Sequence, residues 1–328
     1  MSWKDKTILL IGGTGSFGNN FIRCFLKRHT PKRIRIFSRD EYKQSVLLNN
    51  SYYGDMLDGF IGDVREPHRL RRAMEGVDVV IHAAALKQVQ SCEYNPFETI
   101  KTNILGSMNV INAALDAGVE KVLAISTDKA VSPLNLYGAT KMCMEKVITN
   151  ANSYRGQKRT KLCCTRYGNV ANSRGSVIPY WQECIRKGKP IPITNSKATR
   201  FWLDMDVAID FVVECLEMMD TLSGGEVFVP KLPSVNIMEL YRAVSGGSDF
   251  TIIGDRMGDK LHETLVSKDE MKHTRARKDK FIITPENPKW EYHEPEGDLC
   301  ETRNAYSSDN NDIFLSASTI RERLEQNL

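Results

Sequence analysis

Apolar residues fall into short, unbroken runs along the first half of the chain. Residues 7–11, 33–37, 59–61, 77–82, 122–126 and 161–166 are rich in Val, Ile, Leu and Phe and lack clean two-residue alternation. Such runs suit strands covered on both faces, as in a parallel sheet. Amphipathic stretches at 19–29, 96–117 and 136–151 lie between them, with Pro96 well placed near a helix start. The alternation predicts an α/β fold built on a doubly wound parallel sheet.

From about Gly168 this rhythm breaks. Polar loops with Pro and Gly separate short helices such as 206–219. The expected organisation is a core domain at 1–167 and a smaller C-terminal substrate-binding lobe at 168–328, some of whose segments return to the core. Segment 268–280 carries six Lys and Arg and is expected as a solvated loop. The length of 328 residues suits two domains, or one large α/β domain with a lobe.

Charge narrows the partners. Lys and Arg total 45 against 41 Asp and Glu, a net charge of +4. That excess is too thin for nucleic acid and suits an anionic small molecule. The most apolar stretch, 77–86, is interrupted by Asp78 and His82 and falls short of the ~20 residues of a membrane span. The apolar run before Gly12 is too short for a signal-peptide core. Eight Cys form no CxxC pair and no paired spacing with His, so buried thiols in a cytoplasmic protein are expected, and no metal.

Gly12-Gly13-Thr14-Gly15-Ser16-Phe17-Gly18 follows the first strand and opens the first helix. Small residues there let backbone approach a pyrophosphate, and a helix N-terminus offers free N–H groups. This is a dinucleotide site on a Rossmann sheet. Ser38 and Arg39 end the second strand, where a guanidinium can hold the 2′-phosphate of NADP, while Asp40 keeps NAD open. Asp63 and Val64 are placed to meet the adenine. Ala83, Ala84 and Ala85 follow the fourth strand and let the cofactor lie close.

Tyr137 and Lys141 form YxxxK. On a helix they share a face, so the ammonium is expected to lower the phenol pKa and the tyrosine to deprotonate a sugar hydroxyl. Thr127, or Ser126, supplies a helper hydroxyl. Asp128 and Lys129 add an acid and an amine that a redox step alone does not need. An elimination does need them: one group takes a carbon-bound proton and another protonates the departing oxygen. For Lys129 to act as a base its pKa must fall, which burial near Lys141 is expected to supply.

These features resemble the extended short-chain dehydrogenase/reductase family. The strings GGTGSFG, HAAALKQVQSCEYNPFETIKTNILG, STDKAVSPLNLYGATK, TRYGNVANSRGSVIP and GDRMGDKLHE resemble, more closely, the inverting UDP-N-acetylglucosamine 4,6-dehydratases, some of which begin pseudaminic acid synthesis. The resemblance implies oxidation at C4, water loss across C5 and C6, and hydride return to C6, with Lys129 as base and Asp128 as acid. Retaining relatives carry Glu where Lys129 stands. It also implies that Lys87 and Asn103 serve the cofactor site, and that Lys87 faces the sugar. Asn169, Ser173, Arg174, Gly175, Ser176 and Val177 match the nucleotide-diphosphate loop. Arg200 and Arg256 are implied phosphate partners, and Glu263 a uridine-ribose ligand. Gln88, Gln90 and Asp259 depart from the common pattern. A homo-oligomer, dimer or hexamer, through helices near 96–117 and 136–151 is implied. A 4-epimerase shares Tyr137 and Lys141 but needs no acid for water loss. An NADP-sensing regulator on this fold usually loses one of that pair.

Overall fold

The computed structural model describes residues 2–173, 175–300 and 304–326. Six strands carry the first half: β1 (Thr7–Ile11), β2 (Arg33–Ser38), β3 (Leu57–Ile61), β4 (Val79–His82), β5 (Lys121–Ile125) and β6 (Lys161–Thr165). They pair in parallel in the order β3-β2-β1-β4-β5-β6. This is the order of a dinucleotide-binding sheet, whose ligands lie beyond the carboxyl ends of the strands. Every residue of β1 is buried, which explains its lack of alternation. Helix Ser16–Leu26 begins directly after Gly15, earlier than its apolar pattern predicts. Phe17, Phe21 and Phe25, four residues apart, stack at 5.9 and 5.0 Å along one face.

The sheet continues into the second half. Val227–Pro230 pairs in parallel with β6, and Lys280–Ile283, Thr274–Ala276 and Asp298–Leu299 follow antiparallel, giving ten strands. Phe201, Leu203, Phe211 and Phe228 join the main core. A separate core around Ile178, Trp181, Ile191, Trp202, Leu240 and Ile320 marks the lobe itself.

Two expectations are corrected. Segment 268–280 is ordered rather than a solvated loop: it forms helix Lys268–Met271, strand Thr274–Ala276 and the start of Lys280–Ile283. Thr274 and Ala276 are buried while Arg275 between them reaches Glu294 at 3.3 Å, and buried Lys280 bonds Asp279 at 2.8 Å. Arg275 and Arg277 thus flank a buried position in the strand, and Lys280 is buried and paired. Stretch 96–117 is not one α-helix. A π turn at Lys101–Leu105 separates Pro96–Ile100 from Gly106–Ala117. Seven of the eight cysteines are buried, and none is half of a disulfide among the described residues. Among the described residues no helix is long and apolar enough to cross a membrane.

Candidate active site

The glycine loop lines a cavity of about 510 Å³ together with Ser38, Arg39, Asp63, Val64 and Ala83–Ala85. Gly12 has φ +83°, and a Cβ there would lie 2.9 Å from Ala84 N, so conformation and space both demand glycine. A Cβ on Gly18 would meet Gly13 O at 2.3 Å; Gly18 lets the helix seat on the loop rather than lining the cavity. Ser16 and Phe17 form the helix start beside it. Arg39 is 60% exposed and stands 3.7 Å from Asp63. Asp63 also accepts from the Arg65 guanidinium at 3.0 and 2.7 Å. Burial resists ionisation of Asp63, but Arg65 and Arg39 hold its carboxyl below the usual range. Arg65 had no signal in the sequence.

Asn103 sits on the π turn. Its Oδ1 accepts from Leu86 N at 2.9 Å, and its Nδ2 donates to Leu86 O at 2.9 Å and Thr140 Oγ1 at 3.0 Å. It pins the strand-end stretch before exposed Lys87 to the helix that carries Tyr137 and Lys141. A π turn is a common way to re-aim one side chain at a functional site.

Helix Leu136–Asn150, which carries Tyr137 and Lys141, is capped by Asn135, whose Oδ1 accepts from Gly138 N at 2.8 Å. A Cβ on Gly138 would lie 2.2 Å from Lys129 O. Glycine between Tyr137 and Lys141 therefore lets this helix press onto the turn Asp128–Ala130 after β5. Sequence reasoning missed this residue, although it stands within YxxxK. On that turn, Thr127 Oγ1 donates to Asp128 Oδ1 at 2.9 Å and also hydrogen-bonds the Tyr137 phenol. Ser126 Oγ is buried without a partner, so of the two candidate hydroxyls Thr127 is the one bonded within this group. Lys129 Nζ donates to Asp128 Oδ1 at 3.3 Å and to Glu263 Oε1 at 3.1 Å.

The expected pKa shifts are corrected at two places. Burial pushes the Tyr137 phenol up to about 12, with Lys129 and Thr127 pulling the other way. Lys141 is not among the principal influences on it. Its amine donates to Ile125 O at 2.6 Å and to Met144 Sδ at 3.0 Å, and burial lowers it to about 8. Burial also opposes charge on Lys129, yet Asp128 and Glu263 together hold it above the usual lysine value, the reverse of the expected fall.

The lobe brings the remaining candidates. Asn169 starts a short strand paired with Trp202. Ser173 and Ser176 close a turn, Ser176 N donating to Ser173 O at 3.0 Å, and Ser176 Oγ is buried without a partner. Gly175, with φ +74°, leaves room for Gln88, whose Nε2 would stand 2.7 Å from a Cβ there. Val177 begins the helix that follows. Arg174 lies outside the described residues. Arg200 donates to Thr199 O and Leu261 O at 2.7 and 3.0 Å, and its Nε is 3.8 Å from Glu263. Arg256 is exposed in loop 254–259, which docks on the helix cap where Asn135 Nδ2 donates to Gly258 O at 2.9 Å.

A second buried ion cluster, unforeseen in the sequence, lies behind the first. Arg166 donates to both Glu145 oxygens at 2.9 and 2.6 Å, both Glu270 oxygens at 2.8 and 3.1 Å, and Leu265 O at 2.9 Å. It ties helix Leu136–Asn150 to the segment carrying Glu263.

The family described as polysaccharide biosynthesis protein matches residues 8–285. The inverting UDP-N-acetylglucosamine 4,6-dehydratase of Campylobacter jejuni is 42% identical, across 98% of this chain and 97% of its own length. The UDP-glucose 4-epimerase of Rickettsia rickettsii is 43% identical across 85% of this chain and 83% of its own. Among solved structures, Pen from Bacillus thuringiensis superposes with a TM-score of 0.89 at 35% identity, over 99% of this chain and 100% of that one. A dinucleotide-type sheet, a YxxxK helix and these relatives converge: the chain belongs to the polysaccharide biosynthesis protein family, among the extended short-chain dehydrogenase/reductases that include the inverting UDP-N-acetylglucosamine 4,6-dehydratases.

Proposed function

We propose that this protein is an NADP-dependent UDP-N-acetylglucosamine 4,6-dehydratase that inverts C5, forming UDP-2-acetamido-2,6-dideoxy-β-L-arabino-hex-4-ulose for glycan synthesis of the pseudaminic acid type. One observation carries the reading: a buried carboxylate and an amine, Asp128 and Lys129, stand 3.3 Å apart beside the Tyr137 that would deprotonate the sugar hydroxyl. The name of the Campylobacter relative supports it.

The residues present fit the dinucleotide. Backbone at Gly12–Ser16 suits the pyrophosphate. Asp40 is committed to capping helix Glu41–Leu48, accepting from Lys43 N at 3.0 Å, which leaves Ser38 and exposed Arg39 for a 2′-phosphate. Bound there, NADP supplies reversible hydride transfer, out of C4 and back at C6. Tyr137 draws the proton from the C4 hydroxyl. Thr127, bonded to both Tyr137 and Asp128, gives that proton a path to Asp128, so the phenol need not be ionised beforehand. Lys129 removes the C5 proton, which the C4 ketone has acidified. Asp128 then protonates the departing C6 hydroxyl, and C5 is reprotonated from the opposite face. Asn169, the 173–177 turn, Arg200 and Arg256 would hold the UDP, and Lys87 the sugar.

A homo-oligomer accompanies this reading. Phe97, 76% exposed, lies with exposed Leu105 and Met108 on the helices of 96–117, and Met142 lies on the catalytic helix. A second copy of the chain would cover them. The free thiols suit a reducing, cytosolic location.

The test is incubation with UDP-N-acetylglucosamine in heavy water, with the product identified by NMR. Expected is a 4-keto-6-deoxy sugar of L-arabino configuration carrying deuterium at C5, with the C6 hydride drawn from C4 of the same substrate. A D-xylo product would mean retention. C4 inversion without water loss would identify an epimerase. Lys129→Ala should stop C5 exchange yet leave some cofactor reduction.

A further inference from the structure

Lys129 presents a difficulty. A base must be neutral when it acts, yet this amine rests between two carboxylates. The charged and titratable groups around it are Asp128 on its own turn, Tyr137 on the catalytic helix, Arg200 on strand Thr199–Leu203, and Lys260 and Glu263 on the segment that follows the 254–259 loop. Of these, Glu263 stands nearest the amine, at 3.1 Å from Nζ.

Glu263 is placed with unusual care for a group expected only at a ribose. It is 2% exposed. Its backbone is braced on both sides: Glu263 N donates to Ser308 Oγ at 3.0 Å, and Ser308 N donates to Glu263 O at 2.8 Å. Ser308 is itself held by Thr199 Oγ1 at 2.7 Å. Next to it, Thr264–Val266 pairs with strand Tyr306–Ser307. One carboxylate oxygen meets Lys129 and, at 3.8 Å, Arg200; the other, Oε2, is buried and has no hydrogen-bond partner. A buried carboxylate oxygen left unmatched is unfavourable, whereas a protonated Oε2 would no longer be a bare anion. Burial and Asp128 also push the Glu263 carboxyl above the usual range, against the pull of Lys129 and Arg200.

We propose that Glu263 is the proton store for Lys129, a positioning residue that takes the ammonium's proton when the nucleotide sugar enters and so frees the amine to act at C5. The inference rests on the dehydratase reading. In the first step an N–H bond of Lys129 breaks and an O–H bond forms on Glu263. Carboxylate and ammonium become acid and neutral amine, so the pair stays at zero net charge and no ion is added to the closed site. In the second step the Lys129 lone pair takes the C5 proton, and the C–H electrons pass into the enolate of the C4 ketone. Release of one proton from Glu263 to solvent then returns the pair to ammonium and carboxylate, the captured proton on Lys129 exchanges with solvent, and the enolate takes a solvent proton at C5 from the opposite face.

The test uses Glu263→Gln, which keeps the shape and the hydrogen bond but cannot take the proton. Three quantities are followed in the intact protein: cofactor reduction on adding UDP-N-acetylglucosamine, deuterium entry at C5, and UDP affinity. Wild type should show C5 exchange that is nearly flat from about pH 6 to about pH 9. In the variant, Lys129 must lose its proton to water, so exchange should fall at neutral pH and rise about tenfold per pH unit. Cofactor reduction should stay within about twofold of wild type, because Tyr137 and the dinucleotide cavity are untouched. Acetate should restore exchange to Glu263→Ala as its concentration rises. A variant with the wild-type pH profile and weakened UDP binding would show that Glu263 only holds nucleotide, and would overturn this inference alone. A wild-type protein that never dehydrates the sugar would overturn the functional reading, and this inference with it.

Discussion

Two buried ion clusters occupy neighbouring ground in this molecule, and they are finished to different degrees. Around Arg166, all four oxygens of Glu145 and Glu270 accept a hydrogen bond from the guanidinium. Around Lys129, Asp128 Oδ2 and Glu263 Oε2 are buried with none. Both clusters join the first half of the chain to the same segment, residues 263–270. The satisfied one behaves as a clamp, because each of its charges is already answered. The unsatisfied one leaves two buried oxygens open to a substrate or a proton, a pattern typical of working sites.

The contrast can be broken most forcefully at Arg166. Replacing it with Met strands two buried carboxylates, which should destabilise the fold by about 3–5 kcal/mol, read as a lower urea midpoint. Tyr137→Phe should do the opposite kind of damage. It should slow the first hydride transfer by about a hundredfold to ten-thousandfold, measured as cofactor reduction, while unfolding stays near wild type.

Glu270 sharpens the comparison through pH. Burial disfavours its ionised form, but Arg166 and the Ser267 cap hold its pKa at about 2. The folded value lies below the unfolded one, so the stabilisation, about 3 kcal/mol, is complete above about pH 4.5 and vanishes as pH falls toward 2. Glu270→Gln should lose that part of the acid-side fall in melting temperature. Asp128→Asn should change stability by less than about 1 kcal/mol, since one oxygen is unpartnered already, while water loss slows and cofactor reduction persists. The smallest effect is expected at the rim: Arg39→Ala should weaken NADP about tenfold, by titration calorimetry, and leave NAD almost unchanged.

How much of this was legible depends on how far apart the partners lie in the chain. The glycine loop, the strand ends at Arg39 and Asp63, and the YxxxK pair announce themselves within a few residues, because one turn or one helix face brings them together. Six strands were readable because burial on both faces leaves an unbroken apolar run. The Lys129–Glu263 contact has no such local signature; it is made across 134 positions. That distance is why Lys129 was expected to lose charge near Lys141: its actual neighbours could not be seen. Arg166 was hidden for the same reason, its carboxylates lying 21 and 104 positions away. In 268–280 the count of basic residues masked the alternation that makes Thr274–Ala276 a strand.

The brace on Glu263 also bears on the order in which the protein is made. Residues 306–308 leave the ribosome long after β6, and the earlier part of a chain generally folds first. A nascent chain can therefore shape its dinucleotide cavity while the strand that secures Glu263 has yet to be synthesised. Were a sugar oxidised at that stage, its ketone would meet an unprepared base and linger. The last support for proton handling is thus made late in translation, and completion of the cycle depends on the final segment of the chain having docked.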